Sequence, residues 1–247
     1  MSVPATRQAP ACASAAVIAA ARDHALAEWP CEAVGAVTAE GYVPLPNRAA
    51  EPELRFRVPE AELAGLNVLA LIHSHTRGQA QPSAADMAQQ IAMAVPWGII
   101  LTDGETALEP FWWGDQLPVP PLEGRLFRSG VTDCFALVRD WWQVERGELI
   151  PDVPRDWGWW QAGQDLIRDH ARRCGFHLLG AIPAGEIEAG DVLALRSAGM
   201  AVPYHTAVAT GGGLMLHHFC SRLSRPDVIA PWMRSHPLVF RREAGRG

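Results

Sequence analysis

The stretch that begins at His73 and ends at Asp86 constrains the fold of this chain more than any other. His73 and His75 are separated by one residue, and the apolar run at residues 68–72 before them is typical of a buried strand. Because side chains alternate along a strand, both imidazoles are predicted to face the same side. Ser83 is a favourable N-cap, so Asp86 is expected in the first turn of a following helix, close to the end of that strand.

This arrangement predicts a metal site. Two neutral imidazoles and one carboxylate, from His73, His75 and Asp86, form a three-ligand set with one coordination position left for water. That set is the pattern of catalytic zinc sites rather than of closed structural ones, so Zn²⁺ is the expected cofactor. The alternative is a pair of ordinary polar loop histidines, but the strand before them and the capped helix after them favour the metal.

The composition predicts a globular protein with two ordinary domains or one large one, because the chain has 247 residues and 49% hydrophobic content. A net charge of −6 and the absence of a Lys/Arg run argue against a nucleic-acid partner. Five cysteines without close pairs favour synthesis in a reducing compartment. The apolar residues 11–21 continue at helical spacing into 22–29, which favours an amphipathic helix over a cleaved leader, and no stretch is long enough for a membrane span.

The first half of the chain predicts an alternation of strands and helices, including a strand at residues 56–60. Its motif residues resemble those of the JAMM (Mov34/MPN/PAD-1) metallopeptidases over about residues 10–114, namely Glu32, the His73-x-His75 pair, Ser83 and Asp86. The resemblance implies that the two histidines and Asp86 bind zinc. It also implies that Glu32, which alone would be a surface or capping residue, is the general base, and that Ser83 helps to hold the tetrahedral intermediate. Thr76 stands where many members have proline, which concerns loop shape rather than a ligand.

Three prolines within residues 118–121 predict a boundary near residue 118, because proline interrupts helices and strands alike. The expected domains are residues 1–117 and 118–247. In the second half, Thr132 or Asp133 is expected to cap a helix that Cys134 opens, where the helix dipole favours a thiolate. A cysteine in an apolar helix is more often a core residue, so a nearby base is needed before Cys134 is taken as a nucleophile.

That base is predicted from two histidines. His205 begins one strand, a turn of three glycines follows at residues 211–213, and His217 lies on the returning strand. The two rings can therefore lie side by side, which suits a thiolate–imidazole catalyst. Without Cys134 upstream, two ordinary strand histidines would be the preferred interpretation. His218 is expected to point to the opposite face of its strand and is the second choice.

This half resembles the NlpC/P60 cysteine peptidases in its Asp133-Cys134 pair, Gly190-Asp191, His205 and His217. The resemblance implies a papain-like α+β core, with Cys134 as nucleophile, His205 as general base and His217 as the residue that orients His205. Many members carry a tyrosine before the cysteine, whereas Phe127 occupies that region here.

Together, the α/β JAMM-type half and the α+β papain-like half resemble the tail-tip assembly proteins of long-tailed phages, of the lambda tail protein K type. This resemblance implies a peptidoglycan hydrolase that cuts stem peptides through Cys134, with a second zinc peptidase centre. It implies synthesis in the host cytoplasm, a place at the virion tail tip among other tail proteins, and action in the periplasm during entry. Two alternatives stay open: a structural tail component, whose ten tryptophans would suit docking, and a JAMM isopeptidase acting on protein conjugates.

Overall fold

The computed structural model describes residues 6–197 and 199–242, which divide into two compact units. The first unit runs from Arg7 to Pro118, and the second begins at Val119. Each unit has its own β-sheet and its own hydrophobic core. Within the described ranges, no helix has the length and apolar character that crossing a bilayer requires.

The first unit is a mixed sheet with helices. Its elements are α1 (Ala15–Glu28), β1 (Val34–Thr38), β2 (Gly41–Leu45), α2 (Glu60–Leu63), β3 (Ala70–His75), α3 (Ala84–Met93), β4 (Trp97–Leu101) and β5 (Phe111–Trp113). The strand order is β2-β1-β3-β4-β5, in which β3 and β4 are parallel and the other neighbours antiparallel. The central strand β3, which carries the two histidines, is therefore paired along both edges and buried throughout.

Helix α1 packs on this sheet through small and branched side chains, Val17, Ala21 and Ala25, which recur at helical spacing. The Ser14 hydroxyl caps the helix by accepting a hydrogen bond from the Val17 N–H at 3.3 Å. The strand predicted at residues 56–60 is wrong. The segment is irregular and Glu60 already begins α2, because Pro59 lacks an N–H and the Arg57 N–H is taken by the Asn47 side chain.

The second unit is an antiparallel sheet with one long helix on it. Its elements are α4 (Cys134–Arg146), α5 (Leu166–Ala171), β6 (Phe176–Gly180), β7 (Val192–Leu195), β8 (His205–Gly211), β9 (Leu214–His217), β10 (Arg225–Val228) and β11 (Leu238–Arg242). Short 3₁₀ segments lie at Trp159–Ala162, Ala184–Glu186 and Ala230–Ser235. The strand order is β10-β9-β8-β7-β11-β6.

The two faces of this second sheet are covered differently. On one face Leu137 of α4 packs with Val208 and Leu216, within the larger of two apolar clusters. On the other face Ala207 and Met215 form a second cluster. Because alternate residues of a strand point to opposite faces, Thr206 lies on the α4 side with Val208, and His205 begins β8 on the side of Ala207.

Candidate functional sites

The side chains of His73, His75 and Asp86 meet at the end of β3. The two histidine Nε2 atoms are 3.2 Å apart, Asp86 Oδ1 lies 3.7 Å from His73 Nε2, and Asp86 Oδ2 lies 3.7 Å from His75 Nε2. All three residues are buried, and one potential ligand atom from each lies within 4.8 Å of the others. The structure thus brings together the three residues that the sequence spacing suggested as metal ligands.

Neighbouring groups fix the orientation of two of these ligands. Asp86 Oδ2 accepts hydrogen bonds from the Ser83 N–H at 2.8 Å and the Ser83 hydroxyl at 2.7 Å, and Ser83 Oγ accepts from the Asp86 N–H at 3.1 Å. This capping box begins α3 and aims the carboxylate. His75 Nδ1 lies 2.8 Å from the Gln79 carbonyl oxygen, so Nδ1 carries the proton and Nε2 presents its lone pair to the cluster.

The protonation states of His73 and Asp86 suit a metal. Burial lowers the pKa of His73 to about 3. The rings of Phe56, Trp97 and Trp113 surround its imidazole, with centroids 4.7 to 6.1 Å away. Burial also opposes protonation of His75, but its contact with Asp86 and the Gln79 carbonyl together raise its pKa. Burial acts to raise the pKa of Asp86, yet the two histidines and Ser83 hold it well below its usual range.

Glu32 belongs to the same cluster through its charge. Burial raises the pKa of Glu32 to about 7, with a smaller opposing effect of His75 and a further increase from Asp86. Its main chain is held by the Pro52 carbonyl, which accepts from the Glu32 N–H at 2.7 Å, and by the Asn47 side chain, which donates to the Glu32 carbonyl at 2.9 Å. A carboxyl group with this pKa can exchange a proton near neutral pH.

Ser74, the residue between the two histidines, was not singled out from the sequence. Its hydroxyl accepts a hydrogen bond from the Ala33 N–H at 2.8 Å, and its own N–H donates to the Ala33 carbonyl at 2.9 Å. Ala33 directly follows Glu32. The alternation that sends His73 and His75 to one side of β3 thus sends Ser74 to the other side, where it fixes the Glu32 segment to the strand.

These residues fit a divalent cation. Two imidazole nitrogens 3.2 Å apart, with a carboxylate oxygen 3.7 Å from each, form a compact nitrogen and oxygen donor set inside the protein. Nitrogen and carboxylate donors in a set of three suit zinc. His73 is neutral at physiological pH and Asp86 is ionised, which are the forms that bind metal.

In the second unit, Cys134 is the first residue of α4, and Asp133, one of the two predicted caps, is its N-cap. Asp133 Oδ1 accepts from the Ala136 N–H at 2.9 Å, and Oδ2 accepts from the Gly130 N–H at 2.7 Å. The Arg155 guanidinium also donates to both oxygens of Asp133, at 2.7 and 2.9 Å. This buried bidentate pair, which the sequence did not suggest, fixes the start of the helix that carries the thiol.

The Cys134 thiol is partly exposed and held mainly in its neutral form. Burial and the neighbouring Asp133 charge raise its pKa, whereas Thr206 and the Arg155 charge lower it. The Thr206 hydroxyl is buried near this sulfur, and no described group lies within hydrogen-bond distance of it. No sequence pattern marks Thr206, because an isolated threonine in a strand is common.

His205 and His217 lie side by side on β8 and β9. His205 Nε2 is 3.3 Å from His217 Nδ1, and the His205 ring stacks on Phe219 with centroids 4.0 Å apart. Burial, with the charges of His217 and His218, lowers the pKa of His205 to about 3, so the ring is neutral. His217 Nε2 lies 3.7 Å from Asp227 Oδ2.

His218 occupies a different environment from His217. Its ring contacts Phe127 with centroids 5.1 Å apart, and its Nε2 lies 3.1 Å from the Arg222 carbonyl oxygen. Burial lowers the pKa of His218, whereas the Asp133 charge and the Thr132 backbone act to raise it, so the ring lies near the start of α4. Of the two adjacent histidines, His217 is the one that contacts His205.

Cys134 and His205 line a common cavity of about 170 Å³. We term it the aromatic cavity, and its wall includes Phe127, Phe135, Trp157, Trp159, Trp160 and Ile167. Within the described part of the chain, no direct hydrogen bond joins the Cys134 thiol to His205, whose hydrogen-bond partner is His217.

Family models match both units. The model of prokaryotic homologs of the JAB domain matches residues 14–114, and the model of the NlpC/P60 family matches residues 109–242. The second match covers more than half of the chain, which therefore belongs to the NlpC/P60 family. Membership implies a cysteine-type hydrolase, and the two matches confirm the α/β and α+β classes predicted for the two halves.

Two curated relatives are similar to most of this chain, and both are phage tail tip assembly proteins. The chain is 34% identical to tail tip assembly protein K of Escherichia phage lambda over 188 residues, which are 76% of this chain and 87% of that protein. It is 30% identical to tail tip assembly protein K of Escherichia phage N15 over 213 residues, or 82% of this chain and 84% of that protein. These homologues confirm the resemblance drawn from the sequence.

Solved structures are more distant. A solution structure of a protein from Salinibacter ruber is 21% identical, covers 41% of this chain and 79% of that chain, and has a TM-score of 0.27. The crystal structure of an NlpC/P60 family protein from Bacillus cereus is 16% identical, covers 87% of this chain and 61% of that chain, and has a TM-score of 0.30. Both scores are low, so neither likeness adds to the assignment.

Proposed function

We propose that the second unit is a cysteine peptidase that cuts peptide stems of peptidoglycan. The observation that carries this proposal is Cys134 at the start of α4, lining one cavity with His205 in a chain of the NlpC/P60 family. In this proposal Cys134 is the nucleophile, His205 is the general base and His217 orients His205 through their 3.3 Å contact.

The chemistry begins from a neutral pair. Burial raises the pKa of the Cys134 thiol and lowers that of His205, so neither group is charged before substrate binds. His205 would take the thiol proton as the sulfur attacks the amide carbonyl, and it would give that proton to the leaving amine. Water then hydrolyses the acyl-enzyme and restores the thiol. The Thr206 hydroxyl and N–H would stabilise charge on the sulfur during attack.

For the first unit we propose a zinc peptidase centre held by His73, His75 and Asp86. A bound zinc ion would supply Lewis acidity toward an amide carbonyl. Glu32, whose pKa of about 7 lets it exchange protons near neutrality, would be the general base. Ser83 was predicted to hold the tetrahedral intermediate, and its hydroxyl donates to Asp86, which supports a role in orienting that ligand.

The names of the two relatives, which are tail tip assembly proteins, suggest where this activity takes place. We therefore propose that the chain is made in the host cytoplasm, acts at the virion tail tip with other tail proteins, and cuts the wall in the periplasm during entry. A structural tail component with inactive sites is the second candidate. It is favoured by two observations: the lack of a hydrogen bond between the described Cys134 and His205 side chains, and the position of His205 on the face of the sheet away from α4.

Replacing Cys134 by alanine tests the proposal. We expect Cys134→Ala to abolish the release of fragments from purified peptidoglycan, because the sulfur is the attacking atom, while its zinc content stays at that of the parent. His75→Ala should instead lose the metal. Mass spectrometry of released fragments and elemental analysis give the two measurements. A parent protein that is inert on walls and without zinc would support the structural candidate, and unimpaired digestion by Cys134→Ala would exclude this nucleophile.

A further inference from the structure

The wall of the aromatic cavity is mostly apolar. Its wall combines the aromatic rings named above with aliphatic side chains of α5, Leu166, Ile167 and Ala171. The carboxylate and guanidinium groups on its lining are those of Asp133 and Arg155, and these two groups pair with each other at 2.7 and 2.9 Å. Neither group is therefore available to a charged ligand.

Burial of an ionised group against such a wall is costly, because its few polar groups, among them Ser129, His170 and Tyr204, replace little of the water that the charge loses. The D-glutamyl and diaminopimelyl units of a bound stem peptide carry carboxylates and would therefore lie outside this cavity. An uncharged apolar group, in contrast, gains free energy from contact with aromatic rings. The wall of the cavity therefore selects against charge and in favour of apolar surface.

The size of the cavity points to a large group. Apolar cavities of about 150 Å³ hold a benzene molecule, and the aromatic cavity has a volume of about 170 Å³. A methyl group would leave most of this space empty, whereas a phenyl ring or a branched four-carbon chain would fill it. Cys134 is on the lining, so a group bound here would lie beside the reacting sulfur.

We propose that the aromatic cavity is a specificity pocket for one bulky, uncharged side chain, of the phenylalanine or leucine type, in a polypeptide bound across Cys134. This gives the thiol site a second substrate class, polypeptides with such a side chain next to the cleaved bond. The cleavage part of this inference rests on the proposed hydrolase function, whereas the binding part does not.

Blocked peptides test the pocket in the full-length protein. The probes are Ac-Gly-Gly-X-Gly-Gly-amide with phenylalanine, leucine, alanine or glutamate at X, and mass spectrometry identifies the bond cut on either side of X. We expect kcat/KM to be about tenfold or more higher for phenylalanine and leucine than for alanine, with glutamate lowest and the difference mainly in KM. Calorimetry with Cys134→Ala measures binding of the same peptides without cleavage.

Two substitutions change the pocket in opposite ways. Trp160→Ala removes part of the aromatic wall and should raise KM for the phenylalanine peptide. Ala171→Leu fills space from α5 and should reduce cleavage of the phenylalanine and leucine peptides while cleavage of the alanine peptide is kept. Val144→Ala is the control, because Val144 is an exposed residue of α4 outside the cavity wall.

The two parts of the inference fail separately. If Cys134→Ala binds the phenylalanine peptide better than the alanine and glutamate peptides but the parent cuts none of them, the pocket stands and the hydrolase proposal fails. If all four peptides bind equally, or none binds, the pocket is overturned, whether or not the parent cleaves them. If Trp160→Ala does not fold, Ala171→Leu tests the pocket alone, and unchanged cleavage of the phenylalanine and leucine peptides by this variant would overturn it.

Discussion

At the scale of single residues, Cys134, the proposed nucleophile, is close to charges of both signs, those of Asp133 and Arg155. Asp133 has to be close to Cys134, because its carboxylate caps the helix that begins with the thiol. The same carboxylate disfavours a thiolate beside it. Arg155 offsets this effect by pairing with both carboxylate oxygens, at 2.7 and 2.9 Å. Arg155 thus counteracts the Asp133 charge beside the sulfur that the proposed reaction makes negative.

We predict that Arg155→Gln raises the pKa of Cys134. The thiolate forms only above this pKa, so the rate of alkylation by iodoacetamide, followed against pH, should rise at higher pH than in the parent. At a fixed pH below the midpoint the rate should fall by up to about tenfold, which corresponds to one pH unit. Asp133→Asn should move the midpoint to lower pH, since asparagine keeps the cap without the charge.

Arg168→Gln is the matched control for this experiment, because Arg168 is about half exposed and pairs with Asp165 of its own helix start. Its midpoint should equal that of the parent. If Arg155→Gln also leaves the midpoint unchanged, Arg155 has only a structural role, and its pairing with Asp133 does not act on the thiol.

At the scale of elements, short-range patterns predicted much of both sites. His-x-His at the end of a buried strand and Ser83 before α3 were both visible in the sequence, because alternation and capping depend on near neighbours. Strand pairing was not visible. Strand β11 inserts between β7 and β6, and nothing in the pattern of Leu238–Arg242 identifies those partners. Thr206 and Arg155 escaped notice for the same reason, since their roles come from contacts distant in sequence.

We predict that Ser83→Ala weakens both α3 and the metal site. Loss of the N-cap should reduce the free energy of unfolding of the first unit by about 1 kcal/mol, measured by urea titration. Asp86 also loses a hydroxyl donor at 2.7 Å that aims its carboxylate, so zinc affinity should fall by about 10- to 100-fold, measured by competition with a chromogenic chelator. Ser83→Thr keeps the hydroxyl and is the control. Unchanged zinc affinity in Ser83→Ala would mean that the capping box does not orient the ligand.

At the scale of the whole molecule, the two candidate sites share no residue and lie in units with separate sheets and cores. We therefore predict that zinc removal by dipicolinate leaves peptidoglycan digestion through Cys134 unchanged, and that His75→Ala behaves in the same way. The measurement is fragment release before and after dialysis, with elemental analysis as proof of removal. A loss of digestion that returns with added zinc would show that the two sites depend on each other.

The domain limits predicted from the sequence, residues 1–117 and 118–247, stay a prediction.

The hydrogen bonds of Ser74 affect how the residues of the first site move relative to one another. Ser74 lies between two of the metal-ligand candidates and holds Ala33, the residue next to Glu32, through two hydrogen bonds of 2.8 and 2.9 Å. A displacement of β3 therefore carries the proton-exchanging carboxyl along with the imidazoles. Thermal motion that would separate residues on unconnected loops therefore moves these residues together, so the distance between Glu32 and the two histidines changes little when the surrounding chain moves.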